Sequence, residues 1–93
     1  MKKYAAIDPG ANGALCILYE NGEAEFYDFS KVGLRGYVEA IKSHNEPFTM
    51  VIVESVSAMP GQGVTSMFSF GKRLGELEGM LQTLGIGYDL VRP

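Results

Sequence analysis

The sequence predicts an α/β domain: a mixed five-stranded sheet with packed helices, in the order β-β-β-α-β-α-β. Three observations predict it. Residues 20 to 23, "ENGE", put Asn21-Gly22 between two strand-like runs. That dipeptide is the strongest short hairpin signal, because both residues tolerate positive φ. Residues 49 to 54, "TMVIVE", form a β-branched run of central-strand character. On either side of that run, apolar residues recur at steps of three and four, the period of a helix.

The first strand covers residues 3 to 8. The second is "ALCILY", 14 to 19, apolar throughout and expected to be buried on both faces. The third, about 23 to 29, alternates polar and apolar residues as an edge strand would. A helix follows over 34 to 45, with Leu34, Tyr37, Val38 and Ile41 on one side, and Pro47 bars its continuation. After the fourth strand, "MPGQGV" reads as a loop. A long helix then starts with Thr65 or Ser66 as N-cap and runs to about Leu84, where Gly85 stops it. Its apolar stripe is Met67, Phe70, Leu74, Leu77, Leu81 and Leu84. "YDLVRP", 88 to 93, is the fifth strand.

The totals fit one domain over residues 1 to 93, with 46% apolar and 20% charged residues, a globular balance. Net charge is −3. A general nucleic-acid binder usually carries a basic surplus. This chain would have to reach phosphates through local basic groups or a divalent metal. The single cysteine, Cys16, cannot form an internal disulfide, which suits a reducing, cytoplasmic setting. The N-terminus is too short in apolar residues for a signal peptide, and no stretch is long enough to span a membrane.

Two carboxylates stand out. Asp8 ends the first strand in "AIDPG", and Glu54 ends the fourth in "VIVESVSAMPGQG". If these strands are parallel neighbours, both acids project from one sheet edge. Two such carboxylates repel unless they share a divalent cation. Asp before Pro-Gly is also a good turn opener, so capping and metal binding both stand for Asp8. For Glu54, directly after "MVIV", burial of an unpaired acid would be costly. The glycine-rich "DPGANG" admits a further reading, an actin- or sugar-kinase-like phosphate loop.

Beside Glu54, Met59, Phe68 and Phe70 could stack on bases or wedge between them, while Lys72 and Arg73 could meet phosphates. Phe70 and Met67 also fit the core stripe, and Phe70 is expected there. Gly71, Gly75 and Gly79 recur every fourth residue, each costing about 0.8–1 kcal/mol relative to Ala. Such a stripe lets a backbone approach closely, either this protein's own sheet or a second helix across a dimer axis. His44 is expected to cap a helix end or lie in solvent, not to bind metal.

"AIDPGANGAL", "VIVESVSAMPGQGVTSMFSFGKRLGELEGML" and "LGIGYDLVRP" together resemble the phage-type branch of the RuvC family of Holliday junction resolvases. The resemblance implies an RNase H-like fold and Mg²⁺-dependent cleavage of branched DNA in recombination and repair, with Mn²⁺ as a possible substitute. It implies that Asp8 and Glu54 hold the metal and the scissile phosphate. It implies junction contacts from Met59, Gln62, Ser66, Phe68, Lys72 and Arg73, and a homodimer with no small-molecule cofactor. It places the protein in the cytoplasm of a bacterium or phage-infected host. The family carries two further acids on a helix after the fifth strand. The chain stops at Pro93, so the expectation is an N-terminal portion with weak metal affinity, little cleavage alone and an exposed apolar patch. A non-catalytic DNA- or partner-binding module of the same fold is the alternative.

Overall fold

The computed structural model describes residues 1–55 and 63–92. Within them, β1 (Lys3–Asp8), β2 (Ala14–Tyr19), β3 (Ala24–Asp28), α1 (Phe29–Lys42), β4 (Met50–Glu54), α2 (Val64–Thr83) and β5 (Asp89–Val91) follow in chain order. The sheet order is β3-β2-β1-β4-β5. The hairpins make β1–β2 and β2–β3 antiparallel, and the helical crossovers make β1–β4 and β4–β5 parallel. The mixed α/β sheet is the one the sequence predicts.

The strand period of two sorts the sheet into two faces. Ala5, Ile7, Leu15, Ile17, Val51 and Val53 lie on one face and are buried. They pack in one core with Tyr37, Ala40 and Ile41 of α1 and Leu77, Met80 and Leu81 of α2. Both helices therefore cover the same side. The other side stays open: Leu18 is 45% exposed and Phe26 73%. This corrects the expectation for β2, which is buried on one face only. An apolar run signals burial but cannot say how many layers supply it.

Boundaries shift where glycine intervenes. Helical residues begin at Phe29 rather than Leu34, and Gly33 breaks the run with φ of 66° and ψ of −176°. Only glycine enters that region readily, so the regular part of α1 does start after it. It ends at Lys42, three residues before the expected 45, with the Ser43 hydroxyl donating to the Ala40 carbonyl at 2.6 Å. α2 is capped by Gly63 without a side-chain bond, so Thr65 and Ser66 sit inside its first turn instead of capping it. At the far end Gly85 takes φ of 72°. Its amide donates to the Gln82 carbonyl and that of Ile86 to Leu81, at 3.1 and 2.9 Å, the paired bonds of a Schellman stop. Among the described residues, no helix is long and apolar enough to cross a membrane.

Candidate metal and nucleic-acid site

The register builds the acid pair. Ile7 pairs with Val53 across parallel strands, so the next residues, Asp8 and Glu54, stand side by side. Parallel neighbours lie about 4.8 Å apart, close enough for one cation to take an oxygen from each. Both acids fall on the uncovered face. Asp8 is exposed and Glu54 half-buried. The same row continues through Ala14 to Asp28 on β3, paired in register. Nothing in local sequence flags Asp28; only strand pairing brings it into line, and it holds an ion pair with Lys31 at 3.5 Å.

Asp8 is fixed by its own turn. Its Oδ1 accepts the Gly10 amide at 2.9 Å, which leaves Oδ2 for a ligand. Capping and ligation thus use different oxygens of one group. The turn is tight: a Cβ at Gly13 would sit 2.3 Å from the Asp8 carbonyl oxygen, so glycine is required there. The Gly13 carbonyl also accepts the Phe29 amide at 2.9 Å, tying the loop to α1. Glu54 is held on the β5 side, where it pairs with Val91 and the next amide, Ser55, donates to the Val91 carbonyl at 2.7 Å.

A cavity of about 390 Å³ opens beside the pair, lined among others by Asp8, Glu54, Cys16, Phe26, Ile52 and Arg92. Neither acid is in an ion pair among the described residues. Two unneutralised carboxylates with hard oxygen donors fit Mg²⁺ or Mn²⁺. No cluster of three or more His, Cys, Asp or Glu side chains suited to a metal occurs among the described residues. Glu76 is engaged with Arg73, and Glu78 accepts from the Tyr88 hydroxyl at 2.7 Å.

The expected nucleic-acid residues separate. Met59 and Gln62 lie outside the described residues. Phe68 is 72% exposed and Lys72 is exposed one turn on, so both project from one side of α2. Ser66 is exposed and Arg73 half-buried, and both face the β1–β2 loop across a second cavity. Phe70, expected in the core, is only half-buried, and Met67 of the same stripe is 38% exposed. The first turns of α2 reach past the edge of the covering layer. Of the two readings of Gly71, Gly75 and Gly79, close packing on the protein's own sheet is ruled out among the described residues: a Cβ at any of them would meet nothing within 4 Å. The stripe faces away from the sheet. His44 neither caps nor floats: Ser43 is the cap, and the half-buried His44 ring packs between Tyr19 and Phe48 at 5.9 and 5.2 Å. Burial holds its pKa below the usual value; Lys3 adds to this and Glu25 opposes it.

Sequence reading also missed a stack behind the site. The Arg73 guanidinium lies 3.5 Å over the Phe29 ring, and Phe29 meets Tyr37 edge-on at 5.5 Å. Tyr37 is fully buried, and its hydroxyl finds no hydrogen-bond partner among the described residues. Burial pushes its pKa up to about 12; Asp28 and Asp8 add to the rise and Arg73 opposes it.

No family model matches the sequence, and no curated protein does. In three dimensions the chain is similar to RuvC of T. thermophilus, solved in complex with a Holliday junction substrate, with a TM-score of 0.72 at 17% identity. The likeness covers 100% of this chain and 66% of that one, so this chain spans about two-thirds of its neighbour's length. The chain therefore has an RNase H-like α/β fold similar to that of RuvC.

Proposed function

We propose that this protein works on branched DNA as a Mg²⁺-dependent endonuclease of the RuvC type, with Asp8 and Glu54 as metal ligands. One observation carries the reading: two unpaired carboxylates stand side by side on adjacent parallel strands of an RNase H-like sheet, on its uncovered face. When bound there, a divalent cation supplies positive charge at a scissile phosphate and lowers the pKa of a coordinated water. The chain's own residues do the placing. β4 carries Glu54 at its end, and the Gly10 amide fixes Asp8 through Oδ1, which leaves Oδ2 for a ligand. Phe68 offers an exposed ring for a base, and Lys72 a charge for the backbone.

The open glycine stripe of α2 supports a homodimer, in which a second copy packs on Gly71, Gly75 and Gly79 and two sites address two symmetric strands. Cytoplasmic residence keeps Cys16 reduced.

The test is nicking of a synthetic four-way junction in Mg²⁺ and in Mn²⁺. Asp8→Asn and Glu54→Gln are expected to reduce nicking to background while leaving junction binding in EDTA intact. An unchanged rate in Asp8→Asn overturns the assignment. The small number of grouped acids supports a second reading, a non-catalytic DNA-binding module of the same fold. Tight junction binding with no nicking at any metal concentration selects it.

A further inference from the structure

We infer that the cleft between the β1–β2 loop and the first turns of α2 is a phosphate site, which grips the nucleic-acid backbone at a place separate from the acid pair. The inference deepens the DNA-binding reading above and rests on it.

The cleft is a cavity of about 390 Å³. One wall is the chain at residues 9 to 11; the other carries Thr65, Ser66, Ser69 and Arg73. Three hydroxyls and one guanidinium therefore converge, and no carboxylate lines the space. The cavity beside Asp8 and Glu54 differs from it. That cavity carries the two acids and Arg92 on a mostly apolar lining; the cleft collects donors and suits an anion with several acceptor oxygens.

Arg73 is held ready. Its plane is set by stacking on Phe29, which is itself packed against buried Tyr37. Its Nε donates to Glu76 Oε1 at 3.3 Å, which fixes the rotation of that plane. The terminal nitrogens form the edge that makes paired bonds to a phosphate. A side chain already ordered loses less entropy on binding. Glu76 is the one acid paired with this arginine among the described residues, and it binds Nε from the same helix, one turn on.

Position identifies the anion. The loop that walls the cleft is the loop that orients Asp8: Gly10 lines the cleft and donates to the Asp8 carboxylate. A strand crossing this loop can leave one phosphate at the acid pair and a neighbouring phosphate in the cleft. A DNA backbone offers phosphates at both places, whereas a free nucleotide does so only as a polyphosphate, which the ATP arm of the experiment below separates.

The experiment is the affinity of the 93-residue chain for a fluorescent four-way DNA junction, in EDTA, across a salt series. Arg73→Gln is expected to weaken binding about tenfold and to make the slope of log K against log salt shallower by about 0.9, the signature of one lost phosphate contact. Ser69→Asp leaves the Arg73–Phe29 stack in place and is expected to weaken binding at least as much. Lys42→Gln, at the far end of α1, is expected to stay within about twofold. A neutral methylphosphonate placed at successive junction positions should cost the parent protein affinity at one position and cost Arg73→Gln nothing there. Inorganic phosphate should shift the amide resonances of Gly10, Thr65, Ser66 and Ser69. If the parent binds the junction while Arg73→Gln and Ser69→Asp match it in affinity and slope, the cleft is refuted and the DNA reading survives. ATP binding tighter than the junction, lost in the same variants, overturns the nucleic-acid assignment in favour of a nucleotide. A parent chain that binds no DNA overturns both.

Discussion

The two faces of the sheet come from the same strands and behave oppositely. The face built from Ala5, Ile7, Leu15, Ile17, Val51 and Val53 is sealed by two helices. Among the described residues, the face built from the alternate residues has no helix on it, yet Cys16, Leu18, Phe26, Met50 and Ile52 are apolar there as well. Asp8 and Glu54 stand on this second face, and so does Asp28. The covered face holds the strands in register. The uncovered face uses that register to place charge. Rigidity and reactivity are divided by a period of two.

The largest effect should come from breaking this division at adjacent residues. Ile17→Ala opens a void in the sealed core and is expected to cost about 2–5 kcal/mol, whereas Leu18→Ala on the open face should cost under about 1 kcal/mol. Urea unfolding of the two variants measures the contrast directly. Equal losses would mean that something covers the second face in solution.

A smaller effect tests the outer side of α2. Gly75→Ala meets no neighbour, so helix propensity alone acts and the monomer should gain about 0.8–1 kcal/mol. If a second copy packs on the stripe, the same change should weaken self-association in analytical ultracentrifugation. A variant that gains monomer stability and associates like its parent would remove the stripe from the dimer contact.

The smallest effect lies inside the sealed side. The Tyr37 hydroxyl is buried without a partner, so Tyr37→Phe should be neutral or stabilising by up to about 1 kcal/mol. The sign of its pH dependence follows from a folded pKa of about 12 against 10.0 when free. Below 10 both states keep the proton and the group contributes no slope. Between 10 and about 12 the unfolded chain loses a proton that the folded chain retains, so stability falls as pH rises. Unfolding midpoints at about pH 8 and about pH 11 should show a shallower fall in Tyr37→Phe. Tyr19 and Tyr27, also held above their usual pKa, contribute to the fall that remains: burial acts most on Tyr19, and the hydrogen bond to Glu25 most on Tyr27.

The sequence by itself determined the element order, the Asn21-Gly22 hairpin, the Gly85 stop and the two strand-end acids. Each is set by local chemistry: backbone permission at glycine, β-branched shape, and the cost of an acid after an apolar run. It did not determine which faces are covered. Cys16 and Leu18 are as apolar as Leu15 and Ile17, and only the packing of both helices on one side leaves them open. Nor did it place Gly71, Gly75 and Gly79 outward, bring Asp28 into the row of Asp8, or stack Arg73 on Phe29. Those relations join residues far apart in sequence, and pairing register and helix docking set them. Local propensity named the parts that carry charge; the tertiary structure decided which of them share a surface.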